Sequence, residues 1–299
     1  MPDIEFQPQI PLVRALLRSQ LPPDKADWAE EPLAPLAQGW DNVLYKLGET
    51  HVVRLPVRRQ AATQAEHEIA WVNEAADPLV EMGILVPLPE FAGRPDALFP
   101  WRWTIVPWIP GQDVSQLPVA DRGRLPGQLA RALAALHRPA PQDAPYNPFR
   151  SDLASRATAV ADRWPSVHQF LGADVTASFR AHWRRALAAP GWPFSPRWVH
   201  GDCHPHNLIQ VEGHLVGIID FGDVSGGDPA VDLATGWLTF DAGQRDVFRR
   251  SAEETGRYDD AVWDRAIGWA LVIVTALISD PASRHSFGPL IDHVRAQLA

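Results

Sequence analysis

Residues His200–Asn207 read "HGDCHPHN". Histidines at 200, 204 and 206 alternate with Asp202, and the chain's single cysteine, Cys203, stands among them. Taken alone, the octapeptide has two readings. Imidazoles and a carboxylate at alternating positions suit a transition-metal site of the dinuclear metallohydrolase kind, to which His137 or His214 could be recruited as further ligands. The second reading sets the histidines aside and keeps two groups only, the carboxylate of Asp202 and the carboxamide of Asn207 five residues on.

The next stretch of chain decides between them. "LIQVEGHLVGIID" (Leu208–Asp220) has two β-rich runs about Glu212-Gly213 and predicts a hairpin that ends on Asp220-Phe221-Gly222. Protein kinases carry a catalytic loop H-R-D-L-x-x-x-N and, further on, D-F-G. Here His200, Asp202 and Asn207 have that spacing. Phosphoryl transfer needs a carboxylate within reach of the acceptor hydroxyl, which is the role of Asp202 in this reading. It also needs hard oxygen ligands for magnesium, which Asn207 and Asp220 can supply. Either motif alone is weak. Joined by a hairpin they are specific, and the metal-cluster reading leaves both the asparagine spacing and the D-F-G without a purpose.

Outward from this core the chain divides in character. Upstream, "NVLYKL" (Asn42–Leu47), a turn at Gly48-Glu49 and "HVVRLP" (His51–Pro56) predict an antiparallel hairpin. "AATQAEHEIAWVNEAA" (Ala61–Ala76) predicts a helix with Ile69, Val72 and Ala76 on one face. "WTIVPWIPG" (Trp103–Gly111) is a short strand broken by prolines and a glycine, a natural hinge near residue 110. Beyond it the signals turn helical, with Leu129, Leu133 and Leu136 as a core stripe in Leu125–His137 and four prolines between 139 and 148 marking a loop. The expected plan is a small lobe over 1–110 and a larger, mainly helical lobe over 111–299 containing one hairpin.

Composition narrows the function classes. A chain of 299 residues with 46% apolar and 21% charged residues is ordinary for a globular protein of two lobes. The net charge of −9, without any basic block, argues against nucleic acid and favours a cationic small partner. One cysteine excludes an intramolecular disulfide. The N-terminus "MPDIEFQPQI" lacks a leader's apolar segment, and the apolar run Ala266–Ile278 is too short to span a bilayer, so a buried helix and a cytoplasmic protein are expected. G-x-S-x-G and the P-loop motif do not occur, which removes the common esterase and P-loop alternatives. Protein kinases place a long activation segment after D-F-G, but here "VDLATGW" (Val231–Trp237) begins after residues 221–230. That leaves no room for a peptide-docking segment, so the acceptor is a small molecule.

"WVHGDCHPHNLI" and "GIIDFGDVSGGDPAVDLATGW" resemble the aminoglycoside phosphotransferase family, whose motifs run close to HGDLHPGN and IDFGD…GDPA.DLA. The resemblance extends upstream to Gln38–Pro56, Glu66–Val72 and Val106–Gly111. It implies an α+β, protein-kinase-like two-lobed fold: an antiparallel sheet plus helix in the N-terminal nucleotide-binding lobe and a mainly helical C-terminal catalytic lobe. It implies transfer of the γ-phosphate of ATP or GTP, with Mg2+, to a hydroxyl of a small molecule such as an aminoglycoside antibiotic. Carried across, Asp202 is the catalytic base and Asn207 and Asp220 are the metal ligands. Arg54 is the phosphate-binding cation with Glu68 as its helix partner, Trp108 and Ile109 are the hinge beside the base, and Asp232 braces the catalytic loop.

The departures are specific. Arg54 replaces a lysine, and a guanidinium holds phosphate with a different geometry. The loop "PLAQGWDN" (Pro35–Asn42) has one glycine, so the phosphate-covering loop of protein kinases is not recognisable. Cys203 and His206 replace the family's usual Leu and Gly and carry no inherited role. On the residues alone, His200 reads as a structural group beneath the loop, Cys203 as a small loop residue, His204 stays ambiguous, and Asp223 and Asp228 read as turn carboxylates. Glu66 and Glu68 share one predicted helix. Three alternatives stay open beside the aminoglycoside kinase: a kinase of another metabolite, with macrolides ranked lower, a zinc metallohydrolase, and a catalytically idle nucleotide-binding relative.

Overall fold

A computed structural model of the chain describes residues 4–39 and 41–299. The first three residues of the N-terminal stretch and Trp40 of the 35–42 loop lie outside the described residues. The chain forms two compact units, one running to Glu74 and including Val86–Pro110, the other comprising Ala75–Leu85 and Gly111–Ala299.

The first unit is built on a five-stranded antiparallel sheet. After helix α1 (Ile10–Gln20) come β1 (Leu33–Gln38), β2 (Asn42–Leu47) and β3 (His51–Pro56), then helix α2 (Arg59–Glu81), β4 (Phe91–Gly93) and β5 (Trp103–Pro107), in the sheet order β1-β2-β3-β5-β4. The β2–β3 hairpin turns at Gly48, whose φ of 54° suits a residue without a Cβ. Along β2 the side chains alternate, burying Val43, Tyr45 and Leu47. Val13, Leu16 and Leu17 of α1 pack into the same core with Val53, Leu55 and Trp103. β1 was not apparent in the sequence, because the stretch from Pro35 reads as loop. It is an edge strand, where the N–H that a proline lacks is tolerated, and its register shifts between Pro35 and Ala37.

The second unit begins with β6 (Gln112–Asp113) and α3 (Leu125–Leu136), followed by α4 (Ala157–Leu171), α5 (Ala173–Ala188) and β7 (Arg197–Val199). The predicted second hairpin is β8 (Leu208–Val211) and β9 (His214–Ile218), with Glu212 and Gly213 at φ 50° and 77° forming the tight turn. β6 pairs with β8, and β10 (Ser225–Gly227) pairs with β7. Helices α6 (Ala230–Leu233), α7 (Thr235–Thr239), α8 (Ala242–Thr255), α9 (Val262–Ser279), α10 (Pro281–Ser286) and α11 (Gly288–Leu298) complete the unit. α9 is long and apolar enough to cross a membrane, but 78% of it is buried inside the protein, packed by α4, α5, α6 and α11. Gly268 lets it close on its neighbours: a Cβ there would lie 2.6 Å from Leu153 and 2.8 Å from Ala186. The apolar run read from the sequence is therefore a core helix, extended at its start by Arg265, whose charge is met by Asp228 at 2.5 Å and Asp259 at 2.7 Å.

Candidate active site

The catalytic-loop motif sits between β7 and β8, hung from a buried carboxylate. Asp232, fully buried on α6, accepts the backbone N–H of His200 at 2.7 Å and of Gly201 at 2.8 Å, and meets His137 Nε2 at 3.1 Å. His137 Nδ1 in turn lies 2.9 Å from the Tyr258 hydroxyl. Gly201 has φ 87°, and a Cβ there would stand 2.7 Å from the Asp223 carbonyl, so the tight turn requires glycine. His200 accepts the Asp202 N–H at Nδ1 (3.2 Å) and donates from Nε2 to the Ile219 carbonyl (2.9 Å). These partners place its proton on Nε2. They also tie the loop to the residue before Asp220, while the ring packs edge-on to Phe221 at 4.6 Å. The geometry gives His200 the structural role expected of it, and both ring nitrogens are spent.

Asn207 is buried, with Nδ2 donating to the Asp202 carbonyl at 2.9 Å and its backbone carbonyl accepting the Ile219 N–H at 2.9 Å. The carboxamide oxygen is left as the group that can meet a cation. Asp220 follows β9 in the left-handed region, φ 66° and ψ 66°, an uncommon conformation for a residue with a Cβ, of the kind found at functional sites. One amide oxygen and one carboxylate are hard donors suited to magnesium, with phosphate oxygens and water completing the shell. They do not suit zinc. Among the described residues no group of three or more His, Cys, Asp or Glu side chains converges to hold a metal.

Asp202 is partly buried and bracketed by cations. Arg150 Nη2 donates to Oδ1 at 3.0 Å, and His204 Nε2 lies 3.4 Å from Oδ2. Burial alone would raise its carboxyl, but the charges of His204 and Arg150 prevail and hold it well below the usual carboxylate range. His204 responds in the opposite sense: burial lowers it, and Asp202, with Asp220, raises it above the ordinary imidazole value. Arg150 also donates from Nε to Asp223 at 2.9 Å, and Asn147 Nδ2 meets the other Asp223 oxygen at 2.8 Å. Asp223 is thus more than a turn carboxylate. Cys203 is buried, and burial with the nearby Asp232 charge pushes its thiol well up, so it is no nucleophile. His206 meets Phe287 edge to face at 4.8 Å and lies 3.8 Å from Asp113; burial pushes it down.

In the first unit, Arg54 of β3 and Glu68 of α2 are both buried and joined at 2.5 Å, Nη1 to Oε1. Glu66, the rival on the same helix, is exposed. Glu68 falls on the stripe of Val72 and Ala76, four residues apart, and that periodicity was the available signal. At the hinge, the Trp108 N–H donates to the Thr50 carbonyl at 2.7 Å, and its half-exposed ring is covered by Lys46 Nζ at 4.2 Å. The Trp108 carbonyl and the backbone of Ile109 are the hinge groups that could meet a base. Arg150 is the residue that sequence reasoning missed: a lone arginine in a proline-rich loop carries no local signal.

The fold has known counterparts. Residues 32–269 match the phosphotransferase enzyme family. The GDP and kanamycin complex of APH(2″)-IIIa superposes with a TM-score of 0.66 at 19% identity, covering 96% of each chain. Macrolide 2′-phosphotransferase MphH from Brachybacterium faecium gives 0.58 at 18%, covering 89% of this chain and 91% of that one. Homoserine kinase from Azorhizobium caulinodans is 34% identical over 139 residues, 44% of this chain, a stretch that spans only 37% of that kinase. The chain belongs to the phosphotransferase enzyme family and has a kinase-like fold.

Proposed function

We propose that the protein is a magnesium-dependent cytoplasmic kinase that transfers the γ-phosphate of ATP or GTP to a hydroxyl of a small molecule. In this reading residues 1–110 bind the nucleotide and 111–299 carry catalysis and the acceptor. The observation that carries it is the loop geometry: one buried carboxylate, Asp232, fixes the backbone that presents Asp202, and His200 ties that loop to Asp220. Asp202 orients the acceptor hydroxyl and takes its proton as the oxygen bonds to the γ-phosphorus and the bond to the β–γ bridging oxygen breaks. The low basicity imposed by Arg150 and His204 suits orientation with late proton transfer, as a loose transition state allows. Asn207 and Asp220 would hold magnesium, which supplies charge neutralisation on the phosphates. Arg54, positioned by Glu68, steadies phosphate oxygens, and Trp108 and Ile109 line the base.

The kanamycin complex of a structural neighbour supports an aminoglycoside acceptor, and with it antibiotic resistance by O-phosphorylation. The homoserine kinase match favours a second reading, a metabolite kinase. Asp202→Asn tests the shared core of both. Turnover falls by roughly 10²–10⁴-fold while magnesium–nucleotide still binds, as followed by a melting shift and by product mass. Near-normal turnover in this variant sinks the assignment.

A further inference from the structure

The backbone of Asp202 and its carboxylate are held by different parts of the second unit. Asp232 fixes the N–H groups of residues 200 and 201, and His200 fixes that of Asp202. None of these bonds reaches the Asp202 side chain, which is 26% exposed and has room to turn about its own torsions. What meets the carboxylate is His204 at Oδ2 and Arg150 at Oδ1, the latter from 52 residues away.

The place of Arg150 is built by its neighbours. Asn147 makes a tight turn: its Oδ1 accepts the Phe149 N–H at 2.9 Å, and its carbonyl accepts the N–H groups of Arg150 and Ser151 at 3.0 and 2.9 Å. The Pro145 carbonyl accepts the Gly226 N–H at 3.0 Å, which ties the turn to β10 and, through its pairing with β7, to the strand that leads into the catalytic loop. Asp223 completes the holder, accepting from Asn147 Nδ2 at 2.8 Å and from Arg150 Nε at 2.9 Å. Its own backbone is packed on the loop at Gly201. Nε and Nη2 belong to one planar guanidinium, so a single rigid group spans Asp223 and Asp202, which the point charge of a lysine would not do. Burial acts to lower the guanidinium, but the charges of Asp223 and Asp202 prevail and raise it. The cation is thus matched by the carboxylates it joins.

We propose that Arg150 is a positioning residue for phosphoryl transfer: held by Asp223 and Asn147, it sets the side-chain torsions of Asp202 so that the carboxylate faces the acceptor hydroxyl. The inference rests on the phosphotransferase reading above and adds a second brace beside Asp232, one for the side chain rather than the backbone. Each carboxylate oxygen has two acceptor sites, so the grip on Oδ1 leaves Asp202 able to receive a hydroxyl proton. Without the guanidinium, Asp202 and Asp223 meet as like charges, and Asp202, the more exposed, turns toward solvent.

The test uses the full chain with magnesium and ATP, offering kanamycin and homoserine as acceptors and following ATP hydrolysis, with water as the acceptor, in parallel. Arg150→Ala should lower kcat roughly tenfold to a hundredfold, the cost of a misplaced reacting group, while the KM for ATP and the ATP-induced melting shift stay near wild type. In the Asp202→Asn background the same substitution should lower turnover no further, because groups that act as a unit are non-additive. A merely structural role would lower both backgrounds alike. Asn147→Ala keeps the guanidinium but loosens its holder, and should lower kcat roughly threefold to tenfold, the worth of one hydrogen bond. It decides the matter if Arg150→Ala does not fold. An unchanged or raised kcat in Arg150→Ala, or a fall that repeats in full beside Asp202→Asn, would overturn the proposal, as would an unchanged kcat in Asn147→Ala. These results leave the phosphotransferase reading intact, since the wild type still consumes ATP. A wild type that neither binds nor consumes magnesium–ATP removes both.

Discussion

Replacing Asp232 should cripple the catalytic loop without touching a residue that meets substrate. The side chain is fully buried and accepts the His200 and Gly201 N–H groups at 2.7 and 2.8 Å, with His137 at 3.1 Å. Asp232→Ala strands two buried backbone donors, each costing about 1–3 kcal/mol, and leaves His137 without its acceptor. Allowing for partial relaxation, the loss is about 3–5 kcal/mol, in line with removing one partner of a buried charged network. Asp232→Asn keeps one acceptor oxygen but turns an N–H toward the second donor, so about 2 kcal/mol is expected. Urea denaturation gives the stability change. Amide hydrogen exchange reports the local one: protection at His200 and Gly201 should fall in both variants, more than at Val53 or Leu55 of the first unit. Turnover should fall in parallel, because Asp202 is presented by the backbone these bonds fix. A loss under about 1 kcal/mol in Asp232→Ala, with exchange at residues 200 and 201 unchanged, refutes the bracing role.

Two further expectations concern buried groups elsewhere in the second unit. The Asp259 carboxyl is subject to burial, which raises it, but the Arg265 hydrogen bond and charge lower it below the usual range. A depressed folded value contributes stability that is present above the unfolded value of about 3.9 and is lost as pH falls through the folded value. The urea midpoint of Asp259→Asn should therefore lie below wild type at pH 7 and converge with it toward pH 3; a gap that is constant with pH contradicts the ion-pair account. Cys203, buried with a raised thiol, should resist a thiol reagent in the native chain at pH 8 and react fully in urea. Rapid native labelling contradicts the burial.

Much of the site was legible because it is local in the chain. The H-x-D-x-x-x-x-N spacing, the hairpin and the D-F-G are all contained within residues 200–222, so order along the sequence nearly dictates their proximity. The two hairpin turns were readable for the same reason, since positive φ at Gly48 and Gly213 selects glycine. β1 was not readable, because its strand character comes from pairing with β2 and its own residues favour a loop.

The sequence by itself therefore determined the chemistry on offer: a carboxylate, a carboxamide and a second carboxylate at kinase spacing, with His200 as structure beneath the loop and the roles of His204 and His206 left open. Only the tertiary structure decided what each charge faces. It joined Arg54 to Glu68 and left Glu66 in solvent, spent both nitrogens of His200, set His204 against Asp202, and brought Arg150 from 52 residues away onto the same carboxylate. Periodicity reports which face a side chain lies on. Which charge meets it there depends on packing between distant segments, through distances and burial that appear only once the chain has folded.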